Sequence, residues 1–343
     1  MKLRLFVAVT AALVAVPSAL AGYPRSIAST GNSITRAFNT GFLPYIDAPS
    51  NSWSTGSSTT VNSHYRRILA ANPLIAGRNF NNAVTGADMG DLEGQAALAV
   101  SQGAEYVTIL MGANDVCASS EGAMTPVVTF RAQFETAIQR LSSGLPDARI
   151  FVASVPDVYR LWDIYRTSFT ARLVWTTFGI CQSMLANPSS FAPGDVARRA
   201  RVQQRNVDYN TQLKDVCAVY VHCRFDAGAV FGTDFVRSDV TTRDYFHPSV
   251  AGQTKLARIS WSATFDFTDN LAPTSTASST PVAGGTSVTL ASADADLAGI
   301  EYRLGSAPYV RFTVPLTVAT GTTLSYRAVD VNGNNEAART LVG

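Results

Sequence analysis

Short apolar runs that alternate with longer amphipathic stretches are the feature of this sequence that most limits its possible folds. As far as about residue 270, runs rich in Val and Ile are followed by stretches of helical composition. Strands of this kind, separated by helices, predict a parallel sheet covered by helices on both faces. The predicted strands are Ser26–Thr30, Arg78–Ala83, Tyr106–Met111, Arg149–Val155 and Val219–Phe225. The predicted helices are Asp91–Gln102, Val127–Leu141, Val196–Asp215 and Ala251–Ala263.

The composition changes after this α/β region, which we assign to residues 22–271. Residues 272–286 are rich in Ser, Thr, Pro and Gly and predict a linker. Beyond them, Ile300–Leu304 and Leu324–Ala328 alternate apolar and polar side chains, as half-buried antiparallel strands do. Residues 287–343 are therefore predicted to form a small β-sandwich. The segments GIEYRL and YRAVDVNGN resemble the bacterial immunoglobulin-like modules that are appended to secreted enzymes.

The amino terminus has the pattern of a secretory signal peptide at residues 1–21. Lys2 and Arg4 precede the apolar run Leu5–Val16, and Ala19–Ala21 offers a small-x-small cleavage site. A membrane anchor is the alternative, but this run is well short of the roughly 20 apolar residues that span a bilayer. We expect a secreted protein, and no later segment of the sequence is predicted to be transmembrane.

Four cysteines are expected to form two disulfides in the oxidising compartment that a signal peptide implies. Three pairings are possible, and we favour Cys117–Cys181 with Cys217–Cys223. The second pair requires a turn, because six residues of straight strand would separate the sulfurs by roughly 20 Å. A metal site is the competing interpretation, but no pair has C-x-x-C spacing.

The charge balance excludes some functions. The chain has 27 Lys and Arg against 25 Asp and Glu, a formal charge of only +2. Such a chain lacks the broad positive charge that carries non-specific binding to nucleic acids or anionic membranes. Its 46% hydrophobic content also excludes disorder throughout.

Only three histidines are present, so few residues could act as a base near neutral pH. His247 follows Asp244 by three residues, a spacing that lets the carboxylate reach and orient the imidazole. An exposed loop pair is the alternative for this D-x-x-H motif. His222 lies in an apolar run, which favours a structural role, and His64 has no carboxylate nearby in sequence.

Three further segments follow predicted strands and could surround a reacting group. Ser33, in GNSIT, comes directly after the first strand, where open α/β sheets place their ligands; a helix N-cap is the alternative. Gly86 lies in NNAVTGAD after the second strand, and Asn114 lies in GAND after the third. Glycine backbone and an Asn amide suit an oxyanion hole, although each segment alone could be an ordinary turn. The G-x-S-x-G elbow of α/β-hydrolases is absent from the sequence.

These blocks, in this order, resemble the SGNH (GDSL-type) hydrolases, whose four markers are Ser, Gly, Asn and His. The resemblance spans roughly residues 26–262. It implies a flavodoxin-like three-layer α/β/α fold around a central parallel sheet, with no metal or organic cofactor. It also implies that Ser33 is the nucleophile, His247 the base and Asp244 the acid. The implied oxyanion hole consists of the backbone N–H groups of Ser33 and Gly86 and the Asn114 amide.

One position departs from the family pattern, since Asn32 stands where Gly-Asp-Ser would have Asp. The triad is unaffected, so we expect catalysis, with altered hydrogen bonding around Ser33. The wording of Trp53–Gly77 and around the blocks is most similar to the phospholipase B-like branch, which implies a lipase or phospholipase acting on ester substrates.

Two alternatives remain. One is a polysaccharide O-acetyl esterase, and the other is a catalytically weak protein that binds a surface or glycan through its carboxyl-terminal module.

Trp162, Tyr165 and Phe169 have helical spacing that predicts one shared face. That face is either ordinary core or an apolar wall for an acyl chain.

Overall fold

The computed structural model describes residues 22–343. The predicted signal peptide at residues 1–21 lies outside the described residues. Within them, no helix combines the length and the apolar character required to cross a bilayer.

The larger domain is built on a parallel sheet with the strand order β2-β1-β3-β4-β5. Its strands are β1 (Ile27–Gly31), β2 (Asn79–Asn81), β3 (Tyr106–Leu110), β4 (Arg149–Val152) and β5 (Cys223–Phe225). All five were predicted, but β2, β4 and β5 are shorter than the predicted ranges Arg78–Ala83, Arg149–Val155 and Val219–Phe225. Residues 218–222 instead form the turn that leads from the preceding helix into β5.

Helices cover both faces of this sheet, whose central strands β1 and β3 are buried throughout. They are α1 (His64–Ala71), α2 (Leu92–Ser101), α3 (Ala113–Val116), α4 (Val127–Gly144), α5 (Val158–Tyr165), α6 (Phe169–Thr177), α7 (Gln182–Leu185), α8 (Pro193–Cys217) and α9 (Val250–Ala263). Helices α2, α4 and α8 pack side by side in one layer. Helices α1 and α9 form the other layer, joined by a hydrogen bond between His64 and Ser260.

The strand order determines where a ligand can bind. An order of 2-1-3-4-5 is that of the flavodoxin-like doubly wound sheet, so the predicted fold class is confirmed. The chain leaves β1 toward one edge and returns at β3 toward the other, which opens a crevice beyond the carboxyl ends of these two strands. Ser33 follows β1 and Asn114 follows β3, so both lie at this crevice.

Two disulfides join Cys117 to Cys181 and Cys217 to Cys223. The first links the residue after α3 to the residue before α7, so it ties the segment that carries Asn114 to the rest of the domain. In the second, α8 ends at Cys217 and β5 begins at Cys223, and the intervening turn brings the two Cα atoms to 5.1 Å.

The carboxyl-terminal module is a small sandwich of two antiparallel sheets. One sheet has the order β10-β7-β6 and the other β12-β11-β8-β9, and both contribute to one apolar core. The strands are β6 (Thr276–Val282), β7 (Gly285–Ala291), β8 (Leu297–Leu304), β9 (Val310–Arg311), β10 (Leu316–Ala319), β11 (Thr323–Asp330) and β12 (Arg339–Val342).

The linker predicted at residues 272–286 is therefore wrong over most of its length. Residues Thr276–Val282 form β6 and pair along β7. The segment is polar because β6 is an exposed edge strand, where Ser and Thr face water and Pro281 is tolerated.

Partly buried polar contacts join the module to the α/β domain. Arg327 of β11 donates to the Asp147 carboxylate and to the Pro146 carbonyl. Arg149 of β4 donates in return to the Asn332 carbonyl and to Asn334. Each guanidinium satisfies several acceptors in the other domain, so the two domains are held in a defined orientation.

Candidate active site

Ser33, His247 and Asp244 form a continuous hydrogen-bonded chain, although 214 residues separate the first two. The Ser33 hydroxyl lies 2.8 Å from His247 Nε2, and His247 Nδ1 lies 2.7 Å from Asp244 Oδ2. An ionised carboxylate can only accept, so Nδ1 carries the proton and Nε2 is free to accept from the serine. A hydroxyl, an imidazole and a carboxylate in this order match the geometry that acyl-transfer catalysis requires of a nucleophile, a base and an orienting acid.

Asp244 is buried, yet its surroundings favour the charged form. Its Oδ1 accepts from the backbone N–H groups of Phe246 and His247, at 2.9 and 3.0 Å. Burial alone would raise the pKa of Asp244, but these bonds and the interaction with the His247 side chain outweigh it. The pKa of Asp244 is therefore below its usual value. The carboxylate stays ionised beside the imidazole across the neutral range.

Local backbone geometry positions Ser33 at the end of β1. Gly31 has φ +141°, and a Cβ there would lie 2.4 Å from the Leu110 carbonyl oxygen of β3, so a side chain does not fit. The Gln95 side chain of α2 bonds both the N–H and the carbonyl of Gly31. These contacts therefore fix the end of β1 and the start of the turn immediately before Ser33.

Asn32 shows what the departure from the family pattern does locally. Its Oδ1 accepts from the Ile34 N–H at 3.1 Å, which closes the turn that presents Ser33. An Asp oxygen would make the same bond. Its Nδ2 is buried and has no hydrogen-bond partner among residues 22–343. The turn is therefore preserved, but the Asn32 side-chain N–H donors have no hydrogen-bond partner among the described residues.

The three predicted oxyanion-hole donors surround the same crevice. Within residues 22–343, no protein acceptor pairs with the backbone N–H of Ser33 or of Gly86. Gly86 has φ +89° in an exposed turn, a conformation that favours glycine. The Asn114 Nδ2 group donates to the Ala87 carbonyl at 2.7 Å, which fixes the amide beside the Gly86 turn and leaves its second N–H available.

Asn39 makes a polar contact to Asp244, and the sequence analysis missed this residue. Its side-chain amide donates to Asp244 Oδ2, the same oxygen that His247 contacts, and its Oδ1 accepts from the Tyr45 N–H. It has φ +66°, a conformation that Asn adopts more readily than most residues. Nothing in the spacing of Asn39 and Asp244, 205 residues apart, could have indicated this contact.

An apolar cavity of about 80 Å³ opens beside the imidazole. One face of α5 forms a wall of it, and His247 and the neighbours of Ser33 and Asn114, Ile34 and Ala113, also line it. Its apolar lining includes Ile34, Ala113, Val158, Leu161, Ile164, Phe235, Val240, Phe246 and Leu256.

Trp162, Tyr165 and Phe169, for which core packing and an acyl-chain wall were the two alternatives, are not part of this cavity. Helix α5 ends at Tyr165 and α6 begins at Phe169 behind the Ser168 cap, so the three do not share a helical face. Trp162 and Tyr165 are buried and bond the carbonyls of Pro188 and Arg237, while Phe169 is exposed.

The other two histidines lie away from the triad. His64 is fully buried beneath the sheet, and its ring nitrogens contact the hydroxyls of Tyr106 and Ser260. His222 is buried where the two domains meet, 3.5 Å from Glu301.

Comparisons with known proteins identify the family. The model of the GDSL-like Lipase/Acylhydrolase family matches residues 30–255, more than half of the chain. Comparison with curated proteins returns no significant match.

Among solved structures, the chain is similar to an extracellular lipase from Streptomyces rimosus, with 20% identity, a TM-score of 0.42, and coverage of 70% of this chain and 99% of that one. It is also similar to phospholipase A1 from Streptomyces albidoflavus, with 16% identity, a TM-score of 0.39 and coverages of 67% and 94%. A family 3 carbohydrate esterase from Clostridium thermocellum has 12% identity, a TM-score of 0.40 and coverages of 69% and 93%. Likeness at this level says nothing about the substrate. From the extent of the family match, this chain belongs to the GDSL-like lipase/acylhydrolase family and is a carboxylic ester hydrolase.

Proposed function

We propose that the protein is a secreted lipase or phospholipase that cleaves carboxylic esters through an acyl-enzyme on Ser33. The observation that carries this proposal is the unbroken chain from the Ser33 hydroxyl through His247 to the buried Asp244 carboxylate. The two disulfides are consistent with an oxidising compartment and support secretion, together with the signal-like residues 1–21.

The reaction proceeds in two steps. His247 Nε2 takes the Ser33 proton as Oγ attacks the ester carbonyl carbon, and the carbonyl oxygen becomes an oxyanion. The N–H groups of Ser33 and Gly86 and the Asn114 amide stabilise that charge. The C–O bond to the alcohol then breaks, and His247 returns the proton to the departing alcohol. Water repeats the sequence on the acyl-enzyme, releasing the carboxylic acid and restoring Ser33.

The apolar cavity supports an acyl chain longer than acetyl. His247, Val158, Leu161 and Ile164 line it, and a short hydrocarbon chain there would contact these side chains. Ile164→Trp should fill it and shift the preference of kcat/KM toward acetyl esters, whereas Leu173→Trp, at an exposed position of α6, should leave the profile unchanged. A wild-type preference for acetyl groups on xylan over longer acyl esters would contradict the lipid assignment and favour the O-acetyl esterase alternative.

The decisive test of the chemistry is Ser33→Ala. We expect loss of nearly all hydrolysis of nitrophenyl butyrate and loss of labelling by a fluorophosphonate probe. Ser26→Ala is the matched control, because Ser26 is also fully buried but lies just before the opposite end of β1. Near wild-type turnover in Ser33→Ala would exclude Ser33 as the nucleophile.

A further inference from the structure

A second, larger cleft lies between the α/β domain and the carboxyl-terminal module. It has a volume of about 820 Å³. The carboxyl-terminal end of α4 and the turn at 218–222 form one side, and β8, β9 and the loop between them form the other. The proposed catalytic residues do not line it.

His222 lies in the wall of this cleft, with both ring nitrogens buried and unpartnered among residues 22–343. Its side chain is 8% exposed. The nearest carboxylate, Glu301, is 3.5 Å from Nε2 but is already bonded to Arg327. A neutral imidazole presents one donor and one acceptor on opposite sides of the ring, which two separate hydroxyl groups can satisfy.

Arg303 adds a positive charge without a protein counter-charge. Its guanidinium lies 4.8 Å from the Tyr309 ring and forms no ion pair within residues 22–343. Its Nε is buried and has no hydrogen-bond partner there. Arg311, also in the lining, bonds the carbonyls of Ala218 and Ala298 and has no ion pair among the described residues. Since Arg327 compensates Glu301, the cleft carries a net positive charge.

We propose that this cleft binds a carboxylate-bearing oligosaccharide. The free Arg303 fork matches a carboxylate, and the free donor and acceptor of His222 match sugar hydroxyls. Tyr220 and Tyr302 line the same cleft and offer ring surface to the C–H faces of a sugar. A uronic acid oligomer carries all three features, and 820 Å³ falls within the usual range of ligand pockets.

The proposal is independent of ester hydrolysis, so it is tested on the full-length chain carrying Ser33→Ala. Calorimetric titration with trigalacturonate should give saturable binding, and neutral xylotriose should bind at least tenfold more weakly. Arg303→Gln should weaken trigalacturonate binding by at least tenfold, and His222→Gln should also weaken it. Arg339→Gln, outside the cleft in an ion pair with Glu336, is the matched control and should bind as the parent does.

Several outcomes would overturn the proposal. They are no binding of trigalacturonate at millimolar concentration, equal binding of xylotriose, or undiminished binding by Arg303→Gln. A sulfated trisaccharide or a Glu-rich peptide that binds more tightly than trigalacturonate would also reject a carboxylated sugar as the ligand. Because the Arg303 side chain makes no hydrogen bond within residues 22–343, its replacement should leave the melting temperature unchanged, so lost binding would not reflect unfolding.

Discussion

The regions around His247 and His64 each hold a histidine with both ring nitrogens hydrogen-bonded, but they differ in what surrounds the ring. His247 lies between a carboxylate and the Ser33 hydroxyl at the edge of the sheet. His64 lies between two neutral hydroxyls and is enclosed by aromatic rings, among them Trp53 and Trp261. Burial, assisted by the charge of Arg67, lowers the pKa of His64 to about 3. Hydrogen bonds to both ring nitrogens therefore do not by themselves make a histidine a base. It also needs a charged partner and access to substrate.

The largest test of this difference replaces the charged partner of His247 by a neutral one. Asp244→Asn gives His247 neutral partners only, as His64 has, and the amide nitrogen can force the wrong imidazole tautomer. We expect kcat to fall by about four orders of magnitude, as when a triad carboxylate is lost. The measurement is steady-state hydrolysis of nitrophenyl butyrate, with Asp215→Asn, an exposed position on α8, as the control. A loss of less than tenfold would mean that Asp244 is not the orienting acid.

A second test removes one of the N–H donors that we propose stabilise the oxyanion, a feature that the His247 region has and the His64 region lacks. Asn114→Ala should lower kcat by about two to three orders of magnitude with little change in KM, because the amide acts on charge that develops in the transition state. Asn79→Ala is a matched control, since Asn79 is also half-buried and also donates to a backbone carbonyl, that of Thr55, but lies where β2 begins. Equal kcat values for both variants would mean that the Asn114 amide does not stabilise the oxyanion.

The third test addresses the His64 region, where the expected effect is on stability. The pKa of His64 is about 3 in the folded state and about 6.5 in the unfolded state, so the unfolded chain binds the extra proton between these values. His64 therefore makes the free energy of unfolding fall as pH decreases through that window, by about 1.4 kcal/mol per pH unit. His64→Gln should remove this slope.

The same variant should unfold more easily at pH 8, by about 3 kcal/mol, because it leaves buried partners unsatisfied and loses ring packing. Its kcat per folded molecule should match the parent. Urea unfolding from pH 4 to 8, with active-site titration by the fluorophosphonate probe, measures both quantities. An unchanged slope would show that His64 does not account for the acid sensitivity.

The two regions also differ in how much of them the sequence could predict. His247 follows Asp244 within one turn, and Ser33, Gly86 and Asn114 each follow a strand that hydrophobic patterning reveals, so strand order alone brings them to one crevice. His64 meets Tyr106 and Ser260 only through tertiary packing, 42 and 196 residues away. Side chains that converge without sharing an element leave no local pattern.

The incorrect predictions have the same origin. Trp162, Tyr165 and Phe169 fit one helical period, but Ser168 begins a new helix between them, and the true cavity wall uses the adjacent face of α5. Residues 272–286 were predicted to be a linker because they are polar. An exposed edge strand can be equally polar, since it needs few apolar residues. In both cases the residue types suit the place they occupy in the fold. Where a helix or strand begins and ends, and which strand it pairs with, depended on tertiary structure that composition does not show.

The smallest expected effect comes from Asn39, which helps to hold the carboxylate that distinguishes the His247 region. Asn39→Gly removes the amide while keeping a residue that tolerates φ +66°, so the change is not confounded by backbone strain. We expect kcat to fall about tenfold, with KM unchanged, because Asp244 loses one of its fixed donors but keeps the backbone bonds from Phe246 and His247. Asn62→Gly is the matched control, since Asn62 also has a positive φ, at an exposed position preceding α1. If both variants retain full kcat, the two backbone N–H groups and the imidazole suffice to orient Asp244, and Asn39 serves only to anchor the loop that carries Tyr45.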